Sequence, residues 1–242
     1  MTDNSNLITK DTIKRLLQDV KEIIKNPLED NNIFYKHDEE NILKGYAYIC
    51  GPPDSVYFGG NYFFTFTFPY DYPHSPPKVD FETSDKITRF HPNLYRNKKV
   101  CLSILNTWRG DSWSGCQSIR TVLLILVTLL DNKPLLHEPG ITETHRDFES
   151  YNHIISYKNI EFAVLELMKK ESPWVSEPFL TIFKDNMIQL FNKNKNKISQ
   201  IIDDNINKFG KKDIKIYSGI YTMNIIANWS NLKNTLSTIN IH

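Results

Sequence analysis

The sequence predicts an α+β fold: one helix, a meander of about four antiparallel strands, then further helices. Three observations predict it. An amphipathic stripe opens the chain, an aromatic strand of period two follows at residues 62–68, and a helix apolar almost all the way round lies at residues 118–130. Helices that come after a completed antiparallel sheet define this class.

Taken in order, Ile13, Leu16, Leu17, Val20, Ile23 and Ile24 fall at offsets of 3, 4, 7, 10 and 11, one face of a helix that stops near Pro27. Residues 33–36 and 43–50 read as short extended stretches, closed by the turn Gly51-Pro52-Pro53-Asp54. In residues 62–68 the aromatics Tyr62, Phe64, Phe66 and Phe68 alternate with Phe63, Thr65 and Thr67, a strand with one clearly apolar face. Pro69, Pro73, Pro76 and Pro77 then forbid regular structure until residues 79–81. Residues 108–115 (WRGDSWSG) read as a loop, and the apolar helix at 118–130 belongs inside a core. A second loop marked by Pro134, Pro139 and Gly140 leads to a helical segment over 146–170.

The texture changes near residue 171, where a boundary separates a domain of residues 1–170 from an extension of residues 171–242. The extension reads as helical, with patterns at 178–191, 198–209 and 220–236, a stop at Gly210, and a polar linker at 192–197 (NKNKNK). Ile198, Ile201, Ile202, Ile206 and Phe209 are helix-spaced and predict packing back onto the first domain.

Composition narrows the function classes. With 242 residues, 40% of them hydrophobic, the chain has material for a real core. Its 29 basic and 28 acidic side chains leave a formal charge of +1, which gives no reason to expect nucleic acid as a partner. The longest apolar stretch, residues 122–130 interrupted by Thr128, is too short to cross a bilayer, and the opening MTDNSNLITKD has no apolar segment to act as a signal peptide. Cys50, Cys101 and Cys116 are odd in number and lack paired spacing. A reducing compartment, cytosol or nucleus, is therefore the expectation.

Cys101 follows the tripeptide His91-Pro92-Asn93 by eight residues, in the run HPNLYRNKKVCLSIL. A thiol and a carboxamide at that separation, with no histidine base at motif spacing, suit acyl transfer through a thioester better than proteolysis. The alternative for a lone cysteine is a small buried hydrophobe, the reading that Cys50 and Cys116 keep, with the loop position of Cys116 leaving an exposed thiol open there. A cysteine hydrolase would need a histidine beside the thiol, for which His137 and His145 are the candidates. His91 has no second ligand at helix or turn spacing, so no metal is expected.

The order of elements and motifs resembles the ubiquitin-conjugating enzyme family over roughly residues 10–160. The resemblance rests on Gly51-Pro52-Pro53-Asp54, Tyr57-Phe58-Gly59-Gly60, Phe68-Pro69 with Tyr72-Pro73, Pro76-Pro77-Lys78-Val79, His91-Pro92-Asn93, Val100-Cys101-Leu102, Trp113-Ser114 and Tyr151-Asn152. Residues 95–105, Glu138-Pro139-Gly140 and the long extension are similar to larger members that receive ubiquitin, or a tandem ubiquitin-like modifier, from an alternative, dual-specificity activating enzyme.

The resemblance implies that Cys101 takes a modifier's C-terminal glycine from an activating-enzyme thioester and yields it to a lysine or a ligase cysteine. That requires a sulfur within reach of solvent and close to the carboxamide of residue 93. Asn93 would donate to the oxyanion formed when an amine attacks, or brace the loop that holds Cys101. His91 and Pro92 would be structural members of the turn. Asp147 matches a position where an acid orients and deprotonates the incoming lysine, with an exposed N-cap or first-turn acid of the following helix as the equal alternative. Where the family often has an acid two residues after the cysteine, this chain has Ser103. Lys14 and Arg15 match a basic pair turned toward the activating enzyme, with a solvated helix face as the alternative. His74 and Trp113 would face ubiquitin ligases, although His74 replaces a common phenylalanine and Gly115-Cys116 replaces Pro-Ala. Residues 106–112 add length beside the cysteine. The implied partners are ubiquitin or a ubiquitin-like protein, the activating enzyme and ligases. No cofactor is implied, since ATP is used by the activating enzyme. The competing class is a catalytically inactive variant that only binds ubiquitin or a ligase.

Overall fold

The computed structural model describes residues 7–169, 174 and 177–239. The boundary expected near residue 171 falls outside these residues. Helix α1 (Lys10–Lys25) starts at Thr9, whose side chain accepts the Thr12 N–H. It buries Thr12, Leu16, Asp19 and Ile23, spaced by four, three and four. Leu17 and Ile24 of the predicted stripe are instead 48% and 74% exposed. The helix turns only a narrow line inward. Asp19 sits on that line because it accepts from the Arg15 guanidinium and the Tyr72 hydroxyl.

Strands β1 (Ile33–His37), β2 (Lys44–Cys50), β3 (Asn61–Thr67) and β4 (Lys78–Phe81) form one antiparallel meander in the order β1-β2-β3-β4. Tyr48 pairs with Phe63 and Phe64 with Phe81, so aromatics stand on both faces. On one face Tyr62, Phe64 and Phe66 pack with Tyr57, Phe81 and Phe68. Helix α2 (Ile119–Thr128) begins at a Ser118 capping box and buries Ile119, Val122, Leu123 and Leu126, while Leu124 reaches the surface.

Helix α3 (Phe148–Lys158) widens into a π-helical stretch at Asn159–Glu166. Asn159 points inward there, accepting from the Tyr62 hydroxyl at 2.6 Å and donating to the Phe58 carbonyl at 2.9 Å. A Cβ on Gly60 would lie 2.0 Å from Asn159 Oδ1, which explains why glycine ends the Tyr57–Gly60 turn.

The extension differs from the expectation in two ways. Residues 192–197 are no linker: helix α4 runs unbroken over Phe179–Phe209 and buries Phe191, Ile198 and Ile202. Its Phe179 and Phe183 lie against Tyr46, Tyr48 and Phe63, covering the second face of the sheet. Residues 220–236 are not one helix. Strands β5 (Ile214–Ser218) and β6 (Met223–Ala227) form an antiparallel hairpin before helix α5 (Trp229–Thr238), whose Trp229 meets Tyr157 edge-on. No helix among the described residues is long and apolar enough to cross a membrane.

Candidate active site

The site forms where the chain leaves the sheet and doubles back. Phe90 is fully buried, and its carbonyl accepts from the Tyr57 hydroxyl. His91 is also fully buried; its Nδ1 accepts the Asn93 N–H at 3.0 Å, so the ring closes the turn. Burial first, then His137 and Arg89, holds its pKa well below the ordinary histidine value. A neutral imidazole with Nδ1 occupied by a backbone donor is a brace.

Residues 94–100 form a tight reversal, with Leu94 bridged to Val100 and the Tyr95 N–H bonded to the Lys99 carbonyl. This sets Asn93 opposite Cys101. The Cys101 N–H donates to the Asn93 carbonyl at 2.9 Å, and Asn93 Nδ2 donates to the Cys101 carbonyl at 2.6 Å. The eight-residue spacing thus becomes direct contact. Among the described residues, Asn93 Oδ1 has no partner.

Cys101 is 2% exposed, against the expectation of a sulfur open to solvent. Its setting differs from that of Cys50, which belongs to the continuous hydrophobic core and whose thiol is pushed up to about 11 by burial. Cys101 stands outside that core cluster, between Val100 and Leu102, which are members. Beyond it, the Leu102 N–H donates to Thr107 Oγ1, which in turn donates to the Val100 carbonyl. Gly110 returns to Ser103 so closely that a Cβ on it would lie 3.1 Å from the Ser103 Cβ. Residues 106–112 are themselves exposed.

Asp147 does not meet the expectation of an acid waiting for a lysine. It is 7% exposed, its Oδ1 accepts the Gly219 N–H at 3.0 Å, and its side chain makes no capping bond to α3. The carboxylate anchors the tip of the β5–β6 hairpin. His137 bonds Asp131, and His145 Nδ1 accepts the Asp147 N–H, so among the described residues neither histidine bonds Cys101.

Lys14 is exposed, but Arg15 is committed inside the molecule. It pairs with Asp19, donates to the carbonyls of Gly115 and Gln117, and stands over the Tyr72 ring. Trp113 is 9% exposed and donates Nε1–H to the Pro73 carbonyl at 2.8 Å; His74 beside it is exposed. Arg15 therefore ties α1 to the Trp113 loop, and an open groove of about 820 Å³ runs along α1 between Lys14, Leu17, Lys21 and the exposed Cys116. No group of three His, Cys, Asp or Glu suited to a metal occurs among the described residues.

A family model described as ubiquitin-conjugating enzyme matches residues 15–160, a stretch that contains the whole His91-to-Cys101 arrangement. The chain belongs to the ubiquitin-conjugating enzyme family. It is 37% identical to human "Ubiquitin-conjugating enzyme E2 Z" over 180 residues, 73% of this chain and 50% of that protein. The Xenopus tropicalis protein of the same name is 39% identical over 160 residues, 65% of this chain and 50% of its own. Human "Dual E2 ubiquitin-conjugating enzyme/E3 ubiquitin-protein ligase BIRC6" is 35% identical over 159 residues, 61% of this chain and 3% of that protein. The chain spans about half the length of the first of these relatives.

Residues that the sequence did not single out complete the site. Arg89 donates Nε–H to the His91 carbonyl at 3.0 Å and a second N–H to the Pro92 carbonyl. Tyr221, Gly219 and Met223 arrive from the extension. An arginine two residues before the His-Pro-Asn turn was a readable signal; its contacts with Tyr221 and Met223, more than 130 residues away, were not.

Proposed function

We propose that this conjugating enzyme carries ubiquitin or a ubiquitin-like modifier as a thioester on Cys101 and passes it to a lysine or to a ligase cysteine. The observation that carries the reading is the reciprocal hydrogen bonding of residues 93 and 101, which sets a carboxamide donor beside the only cysteine of the family motif. The Cys101 thiolate attacks the carbonyl carbon of the activating enzyme's thioester; a new C–S bond forms and the activating enzyme's thiolate leaves. An amine then attacks the same carbon, a C–N bond forms, the Cys101 thiolate departs and the amine proton passes to solvent. Asn93 Nδ2 is the donor that can turn from the Cys101 carbonyl to the oxyanion of that second step.

Asp147 holds the hairpin in this reading, and His91 holds the turn. Lys14 and the groove along α1 face the activating enzyme, with Arg15 shaping that surface from behind; His74 and Trp113 face ligases. Residues 1–170 form the conjugating domain and residues 171–242 its extension. ATP is consumed by the activating enzyme, and the three free cysteines fit a cytosolic or nuclear setting.

A second reading, a variant that binds a modifier or ligase without catalysis, is favoured by the 2% exposure of Cys101. Loading demands that whatever covers the sulfur shift. A charging assay with ubiquitin, ATP and candidate activating enzymes, run on a non-reducing gel, separates the two. The transferase forms a thiol-sensitive adduct that Cys101→Ala abolishes and Cys101→Ser turns into a reductant-resistant ester. No adduct with any activating enzyme, or one that survives Cys101→Ala and needs Cys116, overturns the assignment.

A further inference from the structure

The tip of the β5–β6 hairpin is bonded to both arms of the His-Pro-Asn reversal. On the upstream arm, the Arg89 guanidinium lies over two rings, 3.3 Å from the Tyr95 centroid and 5.1 Å from that of Tyr221. Its edge donates to the carbonyls of His91 and Pro92, the two peptides that lead into Asn93. The Arg89 N–H donates to the sulfur of Met223, which is 1% exposed, and the Arg89 carbonyl accepts from the Tyr151 hydroxyl at 2.9 Å. On the downstream arm, Arg96 donates to the Tyr221 carbonyl at 2.8 Å. Tyr221 itself is fixed by its hydroxyl, which donates to Glu138, by the Tyr151 ring at 5.8 Å, and by the neighbouring Gly219–Asp147 bond.

We infer that Tyr221, delivered by the C-terminal extension, is a positioning residue for thioester discharge: it clamps Arg89 so that the guanidinium fixes the peptides carrying Asn93. This rests on the transferase reading above. The physical argument is one of rotational freedom. An arginine fork can satisfy two carbonyls at once only while its plane is held, and two aromatic rings within cation–π distance restrain it here. With the Tyr221 ring gone, the guanidinium loses one of the two rings that restrain it, and the Asn93 amide loses a fixed aim at the developing oxyanion. Such aim is what separates an effective donor from a nearby amide.

The test is a double-mutant cycle read on single-turnover discharge of the Cys101 thioester to free lysine, with charging rate and thermal melting measured alongside. Tyr221→Leu should slow discharge about tenfold, within the ~10²–10³ that a whole oxyanion donor supplies, while charging and melting change little. Tyr221→Phe, which keeps the ring and loses only the Glu138 contact, should recover the lost rate. Made on an Asn93→Ala background, Tyr221→Leu should add no further slowing. If the slowing is the same in both backgrounds, or absent when Asn93 is present, the inference is wrong. Should Tyr221→Leu fail to fold, Arg89→Lys, which keeps the charge and loses the fork, carries the same cycle with the same two outcomes. Absence of any Cys101 adduct in the unaltered protein sinks the transferase reading instead, so the two failures are distinct.

Discussion

Asn93→Ala separates the structural job seen for this side chain from the catalytic one proposed for it. Its amide donates to the Cys101 carbonyl at 2.6 Å, and that carbonyl belongs to a residue only 2% exposed. A lost neutral hydrogen bond costs about 0.5–1.5 kcal/mol net, and a stranded buried acceptor costs about 1–3 kcal/mol. Against this, the substitution also removes Asn93 Oδ1, which already lacks a partner, so a net loss near the low end, about 1 kcal/mol, is expected. For a chain of 242 residues that is a melting shift of about 2–4 °C. Discharge to free lysine should fall far more, by about 10²–10³, because the departing donor faces charge that develops only in the transition state. Charging by the activating enzyme starts from an anionic thiolate and should fall much less. Calorimetry gives the first quantity, and single-turnover gels with a preloaded thioester give the other two. A variant in which discharge slows no more than charging does, with melting lowered as expected, would refute the donor role and leave Asn93 as a brace.

Two predictions concern what holds the site. Asn159→Ala strands the Tyr62 hydroxyl and the Phe58 carbonyl in the interior and should cost about 2–6 kcal/mol, seen as a lower urea midpoint at unchanged slope; a loss under about 1 kcal/mol would show that the π-helical stretch does not anchor the Tyr57–Gly60 turn. His91 has a folded pKa below the unfolded value of about 6.5. The unfolded chain therefore takes up the proton first, and the stabilisation from His91 is complete above that value. It declines by about 1.4 kcal/mol per unit as pH falls through the window below it. The stability gap between the natural protein and His91→Gln should thus narrow from pH 7 to pH 5, and a gap independent of pH would contradict a buried, neutral ring.

The legible parts of this fold are those whose signals are local. The alternation of Tyr62, Phe64 and Phe66 announces β3, and the eight-residue spacing from Asn93 to Cys101 announces the reversal, because both depend on contacts within one hairpin. The burial of Phe63 was not legible: it is covered by Phe179 and Phe183, more than 110 residues downstream. In α4 the polar run 192–197 conceals a helix, yet Phe191, Ile198 and Ile202 keep offsets of 7 and 11, so the inward line passes uninterrupted beneath exposed lysines and asparagines. The hairpin was missed because the adjacent Ile225 and Ile226 fit a helical stripe as well as a strand; pairing with Ile216 and Lys215 decides for the strand. The anchoring bond of Asp147 is illegible for the same reason as the burial of Phe63, since the amide it accepts from lies 72 residues away.

The burial of Cys101 and its proposed reactivity are reconciled by how unevenly its surroundings are held. On the Asn93 side, the turn is fixed by the buried His91 ring, by the Asn93 amide and by the Arg89 fork, which itself lies over the Tyr95 and Tyr221 rings. On the Ser103 side, the chain is secured by the Thr107 hydroxyl and by the approach of Gly110, on a loop whose residues are exposed. Segments with few buried contacts open at far lower free energy than segments tied to a core. Access to the sulfur should therefore open from residues 106–112, while the donor side stays in place. In the proposed transferase, a site built this way would admit a modifier's tail without disturbing the Asn93 amide, and the role inferred for the extension is to stiffen the side that must not move.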